Sequence, residues 1–153
     1  MARDISSMRR KMEEEVGKES ERHYNIKQGA GGLVDIEFIV QFLQLLHGKQ
    51  HQAVRIPGTY NALRVLKRQG ILDEESSRIL IQAYQFTRRL ESRMRIVNNQ
   101  ATSELSRDPG KLLPLALRMG YPADDASAGL KLLGDYELMR SQVRFIFDML
   151  LRQ

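Results

Sequence analysis

The residues of this chain that come nearest to a chemical site are the glycines of a short loop and the acids that follow them. Gly29, Gly31 and Gly32 precede a predicted helix that carries Asp35 in its first turn and Glu37 soon after. Backbone N–H groups at such a helix start can bind phosphate. Carboxylates there would repel a phosphate, however, and no Gly-Lys-Ser/Thr ending follows. The sequence therefore predicts a structural turn rather than a phosphate site. Such a turn would let this helix dock tightly against a neighbour.

Asp35 and Glu37 do not suit a shared metal ion or an acid–base pair. Residues two apart on a helix point in directions about 200° apart. Glu37 falls in a polar strip, whereas Asp35 projects onto the face that we expect to be buried, and a buried carboxylate needs a partner. We expect that partner to be a free N–H group of the helix or the ammonium of Lys27, rather than a group on another domain.

A second set of charges lies on the longest predicted helix. Arg88, Glu91 and Arg95 share the face opposite its predicted core stripe, at spacings typical of exposed ion pairs. One interpretation is a solvated face. The other is a docking surface for an acidic partner or a neighbouring catalytic domain, in which Arg89 and Arg93 would take part.

Signatures of a complete catalytic or metal site are missing from the sequence. His47 and His51 stand four apart but lack the acid of a His-Glu-x-x-His zinc motif. The chain has no cysteine, no Gly-x-Ser-x-Gly, and no Gly-Ser followed by Asp-x-Asp, the pattern that would hold magnesium beside a triphosphate. We therefore predict no catalytic residue, no metal site and no cofactor in this chain, and we expect it to be inactive alone.

The spacing of apolar residues predicts one all-α domain over residues 1–153, an antiparallel bundle of about six helices without a sheet. The first helix is expected to bury one apolar face and to expose a charged one, and the second is expected to be central. Helices are predicted over residues 4–18, 33–47, 59–69, 73–98, 108–119 and 124–151, with N-caps at Thr59, Asp73 and Asp108. The predicted buried faces of the first and fourth helices are Ile5, Met8, Met12 and Val16, and Ile79, Ala83, Phe86, Leu90 and Val97.

Composition narrows the choice of partners and compartment. The net charge is +5, but acidic residues alternate with basic ones and aromatic residues are sparse, so we expect no nucleic-acid partner. The absence of cysteine fits a reducing cytoplasm. No apolar run approaches the roughly 20 residues needed to span a bilayer, so we expect no membrane contact.

The run from Asn25 to Gln41 closely resembles a signature of glutamine-synthetase adenylyltransferase, a bacterial enzyme with two nucleotidyltransferase heads. Similarity to that family extends over nearly all of the chain. It includes residues 8–12, 61–66, 84–91, 100–108 and 143–147.

In that family a helical domain follows each head, and this chain is similar to the helical part alone. The resemblance implies that the intact enzyme uses ATP and Mg to transfer AMP to a tyrosine of glutamine synthetase, and that its other half removes the AMP by phosphorolysis. It implies three partners: the head of the same polypeptide, glutamine synthetase and PII protein. Because the magnesium-binding aspartates belong to the head, no catalytic role is carried over. The signature residues here are expected to shape the joint that faces the head: Lys27, Gly29, Gly31, Gly32, Asp35 and Glu37.

Three alternatives remain open within the resemblance. The Val34–Glu37 run and the upstream residues 8–12 favour the C-terminal, adenylylating half over the N-terminal half. A second interpretation is a regulatory module that binds PII protein or glutamine. A third is the equivalent helical domain of a PII uridylyltransferase, which shares the glycine signature.

Overall fold

Six α-helices make up most of the structure. It is a computed structural model that describes residues 1–123 and 126–151. The all-α prediction is confirmed, although the predicted start of the last helix at Asp124 lies outside the described residues. The helices are α1 (Ala2–Met12), α2 (Leu33–His47), α3 (Thr59–Arg68), α4 (Glu74–Asn98), α5 (Leu113–Arg118) and α6 (Ala128–Leu151), with a π-helical turn at Glu13–Gly17 and 3-10 turns at Gln52–Val54 and Pro109–Leu112.

A small antiparallel sheet corrects the prediction that the fold has no strands. Strand β1 (His23–Asn25) pairs with β2 (Glu104–Ser106), and Tyr24 lies opposite Leu105. Both of these side chains are buried, whereas their neighbours along each strand are not. Three residues are too few for an alternating pattern to be recognised in the sequence. The sheet ties the segment before the glycine loop to the segment after α4.

Buried apolar side chains form two clusters along the helices. The first lies among α2, α3, the N-terminal half of α4 and the C-terminal half of α6. The second lies among the sheet, α5 and the other halves of α4 and α6. Helices α4 and α6 therefore run through both clusters and hold them together. No helix among the described residues is long and apolar enough to cross a membrane.

Helix starts follow the predicted capping at two of three positions. The Asp73 side chain accepts a hydrogen bond of 2.8 Å from the backbone N–H of Ser76, and the Asp108 side chain accepts one of 3.0 Å from that of Gly110. The prediction for Thr59 is wrong by one residue. Gly58, with φ of +85°, is the cap, and Thr59 is the first helical residue.

The buried faces of α1 and α4 differ from those predicted. Met8 on α1 and Val16 in the π-helical turn are about half exposed, at 52% and 51%, while Arg9 on α1 is fully buried. On α4, Val97 is exposed and Met94 is buried in its place. Arg9 projects onto the same side of α1 as the predicted apolar face, so spacing alone does not distinguish it from a core residue.

Candidate functional site

The glycine loop is buried and packs directly against other parts of the backbone. A Cβ atom at Gly31, where φ is +71°, would lie 2.0 Å from the carbonyl oxygen of Arg140 on α6. A Cβ atom at Gly29 would lie 2.1 Å from the Glu19 carboxylate, and one at Gly32 would lie 2.8 Å from the Ile26 carbonyl. Since no side chain fits at these positions, the glycines allow the start of α2 to approach α6.

The backbone N–H groups at the start of α2 are already hydrogen-bonded within the chain. The Leu33 N–H donates to the Ile26 carbonyl at 3.1 Å, and the Val34 N–H donates to the Lys27 carbonyl at 3.0 Å. The Gly31 N–H donates to Oδ2 of Asp35 at 2.6 Å. A carboxylate of the chain therefore occupies the place where a phosphate would bind, as the sequence predicted for a structural turn.

Asp35 is fully buried, and its main partner is an arginine of α1. The Nε atom of Arg9 donates to Oδ1 of Asp35 at 2.6 Å, and neither side chain is exposed. Nη2 of Arg9 also donates to the carbonyls of Gln28 at 2.8 Å and Gly29 at 3.0 Å. The expectation that Lys27 pairs with Asp35 is wrong, because Lys27 is exposed and the charge comes from a distant part of the sequence.

Arg144 of α6 binds the same carboxylate from the other side. Its Nη1 atom donates to Oδ2 of Asp35 at 3.2 Å and to Oε2 of Glu13 at 2.8 Å. Burial works to lower the pKa of Arg144, but the Asp35 and Glu13 carboxylates outweigh it and the pKa is raised. Arg9, Asp35, Arg144 and Glu13, which we call the ion network, thus join α1, α2 and α6 at the glycine loop.

Arg140 fixes the outer side of the loop. Its Nε atom donates to the Ala30 carbonyl at 3.0 Å, and its Nη2 atom donates to the Glu19 carboxylate at 2.7 Å. Its guanidinium carbon lies 4.3 Å from the centre of the Tyr24 ring, and that of Arg107 lies 4.4 Å from the same ring. Burial, followed by the charge of Glu137, raises the pKa of Tyr24, so the ring stays neutral beside the two cations.

The other two signature residues point away from this network. Lys27 is exposed, and Glu37 is partly exposed on α2. Neither side chain forms an ion pair or a hydrogen bond with the part of the chain that the structure describes. The structure therefore divides the six signature residues into four that close the loop and two that remain available at the surface.

The arginine face of α4 is only partly the exposed surface that was expected. Arg88, with 58% of its side chain exposed, pairs with Glu91 at 3.0 Å, while the Glu91 side chain is only 17% exposed. Arg89 instead donates to the Met119 carbonyl at 3.0 Å and holds the end of α5. Arg93 is partly exposed and Arg95 is exposed. Arg88, Arg93 and Arg95 are thus the arginines of this face that are at least partly exposed and hold no other helix in place.

Sequence reasoning missed Arg9, Arg144, Arg140 and Glu13 as members of the site. The segments that contain Arg9 and Arg144 are both among those that resemble the adenylyltransferase family. A signal was therefore present, because a buried carboxylate requires a cation and both of these segments contain basic residues.

A cavity of about 310 Å³ lies away from the loop, between the sheet and the end of α4. Its inner wall is apolar and includes Met94 and Leu112. Its rim carries the side chains of His23, Glu104 and Lys111, which pair with no group among the described residues. The cavity is large enough for a small polar molecule.

Comparison with known families matches almost the whole chain to one family. A family model described as GlnD PII-uridylyltransferase matches residues 6–151. The chain belongs to this family. The match covers α1 from residue 6 onward, the glycine loop and α6, so all four members of the ion network lie within it.

Curated relatives in this family carry the adenylyltransferase name. Proteins named bifunctional glutamine synthetase adenylyltransferase/adenylyl-removing enzyme are similar to the chain in Corynebacterium efficiens, with 43% identity over 61% of the chain, and in Neisseria meningitidis serogroup A, with 35% over 84%. One in Corynebacterium glutamicum is 38% identical over 71% of the chain. These matches confirm the resemblance seen in the signature. They cover only 9%, 14% and 10% of the relatives' own lengths.

Proposed function

We propose that this chain is a helical domain of a bifunctional glutamine-synthetase adenylyltransferase, from the half that adds AMP, and that it positions the nucleotidyltransferase head. The observation that carries the proposal is the closed glycine loop. Its N–H groups are bound to carbonyls and to Asp35, so the signature serves to hold α2 against α6 rather than to bind a nucleotide.

ATP and magnesium are assigned to the head in this proposal. The carboxylate of Asp35 is neutralised by two arginines, and the residues that the structure describes contain no group of three His, Asp or Glu side chains able to hold a metal ion. A triphosphate with its metal does not fit the loop as it stands. This chain's residues would then orient the head and exclude it from wrong positions, without contacting the reacting atoms.

Lys27 and Glu37 are the residues that we assign to the contact with the head. They belong to the signature, they lie at the surface, and they have no partner among the described residues. A charged pair of opposite sign at an interface fixes register more than it adds affinity. The head should therefore present an acidic group to Lys27 and a basic group to Glu37.

A complementation assay tests this role. A form of the Corynebacterium glutamicum relative that lacks its matching region is mixed with this chain, and transfer of AMP to glutamine synthetase is measured. The chain should restore transfer, and both Lys27→Glu and Glu37→Lys should reduce it at least about tenfold, which corresponds to about 1.4 kcal/mol. Lys49→Glu, at an exposed lysine outside the signature, is the matched control. Transfer of AMP by this chain alone would contradict the proposal.

A second function, binding of an effector such as glutamine, is favoured by the cavity beside the sheet. Its rim offers an ammonium from Lys111 and a carboxylate from Glu104, which suit a molecule that carries both charges. Calorimetric titration with glutamine should then show saturable binding that Lys111→Ala weakens. Saturable binding of PII protein in the presence of ATP would favour a regulatory module in the same way, whereas a purely positioning domain binds neither.

The family description leaves uridylyl transfer as the competing chemistry. Complementation in the assay above distinguishes the two, because a uridylyltransferase helical domain should restore a UTP-dependent head and not an ATP-dependent one. The names of the curated relatives favour the ATP-dependent reaction.

A further inference from the structure

Helix α1 is held to the rest of the chain mainly by one charged side chain. Among its 11 residues only Arg9 is buried. Ala2 and Ile5 are partly buried against the first apolar cluster, and Met8 is about half exposed. Each of the other five α-helices that the structure describes buries at least two apolar side chains. Since burial of apolar surface is what usually fixes a helix to a core, α1 has less of this stabilisation than its neighbours.

Burial of Arg9 satisfies only part of its guanidinium. Its Nη1 atom is buried and has no hydrogen-bond acceptor among the described residues, since Oε2 of Glu13 lies 4.0 Å away. A buried donor without an acceptor opposes burial, because water would bond to it in the undocked state. The ion pair of Arg9 with Asp35 gains little beyond the cost of removing both charges from water. The contact that holds α1 is therefore specific in geometry but weak in net stabilisation.

Asp35 keeps two partners when Arg9 leaves. Its Oδ2 atom accepts from Nη1 of Arg144 at 3.2 Å and from the Gly31 N–H at 2.6 Å, whereas Arg9 binds the other oxygen, Oδ1. The carboxylate is then not left without a cation, which is the usual penalty for breaking a buried ion pair. Glu13, which pairs with Arg144 at 2.8 Å, leaves with α1, but both of these side chains are partly exposed and their separation costs little. The glycine loop stays closed, because Asp35 still accepts from Gly31.

The segment that follows α1 provides a hinge. The π-helical turn Glu13–Gly17 ends at Lys18, whose backbone is left-handed with φ of +32°. The next residue, Glu19, is fixed in place, since its carboxylate accepts from Nη2 of Arg140 at 2.7 Å and from the backbone N–H of Asn25 at 2.9 Å. Irregular helical turns and helix ends are common positions for hinges. A movement of α1 would therefore be confined to the residues before Glu19.

We infer that α1 and the π-helical turn form a separate unit, which docks through Arg9 and undocks about Lys18 while the other helices stay folded. An isolated helix of fewer than about 12 residues is marginal in water, so α1 loses its helical hydrogen bonds when it undocks. Undocking exposes the three acceptors that Arg9 now binds, namely Oδ1 of Asp35 and the carbonyls of Gln28 and Gly29. A cationic group that binds these acceptors favours the undocked state, so the position of α1 can be controlled. The inference is independent of the proposed function.

Native-state hydrogen exchange of the isotope-labelled chain at rising urea concentrations tests the inference. The backbone amides of residues 9–12, at the end of α1, should share one level of protection that is at least about tenfold lower than that of α2 and α6. Their exchange should also depend less on urea, because undocking of α1 exposes less surface than complete unfolding does. Equal protection in α1 and α6 would overturn the inference. A steady rise in protection from residue 9 to residue 12 would also overturn it, since that pattern indicates fraying from the helix end.

Substitution of Arg9 tests whether this side chain holds α1. Arg9→Met removes the docking hydrogen bonds and should speed exchange of residues 9–12 at least about tenfold. Arg10→Met, at the exposed neighbour, is the matched control and should change this exchange less than about twofold. Equal effects of the two variants would show that Arg9 does not hold α1.

A substitution far from α1 separates undocking from unfolding of the whole chain. Leu90→Ala opens a cavity in the second apolar cluster, which contains no residue of α1, and should speed exchange in α4 and α6 at least about tenfold. Exchange of residues 9–12 should stay unchanged, because the region around Leu90 is the same in the docked and undocked states. Faster exchange of residues 9–12 in Leu90→Ala would show that α1 opens only when the whole chain unfolds, and would refute the inference.

Discussion

The Oδ1 atom of Asp35 lies 2.6 Å from the Nε atom of Arg9, and neither side chain has any exposed surface. Arg9 comes from α1 and Asp35 from the first turn of α2, so this pair closes the glycine loop against a helix 26 residues earlier in the chain. A buried ion pair of this kind adds little net stability, but breaking it is costly because one charge is left without a partner.

Replacement of Asp35 by alanine should destabilise the chain by about 3–5 kcal/mol, since Arg9 would remain buried without its carboxylate. Urea unfolding followed by circular dichroism measures the change. Glu74→Ala is the control, because it removes the carboxylate of the exposed pair with Lys67 and should cost less than about 1 kcal/mol. Equal effects of the two substitutions would contradict the proposed burial of the ion network.

A double-mutant cycle measures how strongly Arg9 and Asp35 depend on each other. Arg9→Met and Asp35→Leu should each destabilise the chain, but the double variant should be more stable than the sum of the two losses predicts. Contacting charges typically show coupling of about 0.5–3 kcal/mol, and we expect a value at the upper end of that range. Additive losses would indicate that the two side chains do not interact in solution.

Gly31→Ala should destabilise the chain more than Gly70→Ala does. Both glycines have positive φ, at +71° and +68°, so both substitutions carry a similar backbone cost of about 1–2 kcal/mol. Only at Gly31 would the added carbon also meet the Arg140 carbonyl, whereas nothing lies within 4 Å at Gly70. Thermal unfolding of the two variants compares the costs. If the effects are equal, the loop does not pack on α6 as described.

The cap at Asp73 should make stability depend on pH in the acid range. Hydrogen bonds from the side chain and then the backbone N–H of Ser76 lower the pKa of Asp73 from its ordinary value of 3.8. The stabilisation is therefore present above the ordinary pKa and is lost as the pH falls through the lower pKa of the folded state. Urea midpoints between about pH 5 and pH 2 should fall less steeply for Asp73→Asn, which keeps a cap but does not titrate. Parallel curves for the two proteins would rule out this source of pH dependence.

Most of the helices could be predicted from the sequence because their signals are local. The apolar spacing of α2 and α6 and the caps at Asp73 and Asp108 each depend on residues within a few turns. The strands at Tyr24 and Leu105 could not be predicted, since each is only three residues long and pairs with a segment about 80 residues away. Their pairing depends on tertiary contacts that no local pattern records.

The candidate site was predicted in part for the same reason. The closed loop and the burial of Asp35 followed from the glycines and from the position of Asp35 on its helix. The partners Arg9 and Arg144 could not be predicted in this way, because they lie 26 and 109 residues from Asp35 in the chain. Of the three consecutive basic residues 9–11, the fold buries only Arg9, and the spacing of residues on α1 does not mark it as the partner of Asp35.

The central claim is that the glycine loop is a closed structural joint and not a nucleotide site. The most direct test is titration of the isotope-labelled chain with ATP and magnesium, observed through the backbone amide resonances of Gly29, Gly31 and Gly32. We predict that these resonances do not move in a saturable way, because the Gly31 N–H already donates to Asp35 and its neighbours donate to carbonyls. Saturable shifts of these amides, with the Gly31 resonance moving as it leaves the Asp35 carboxylate, would contradict the account.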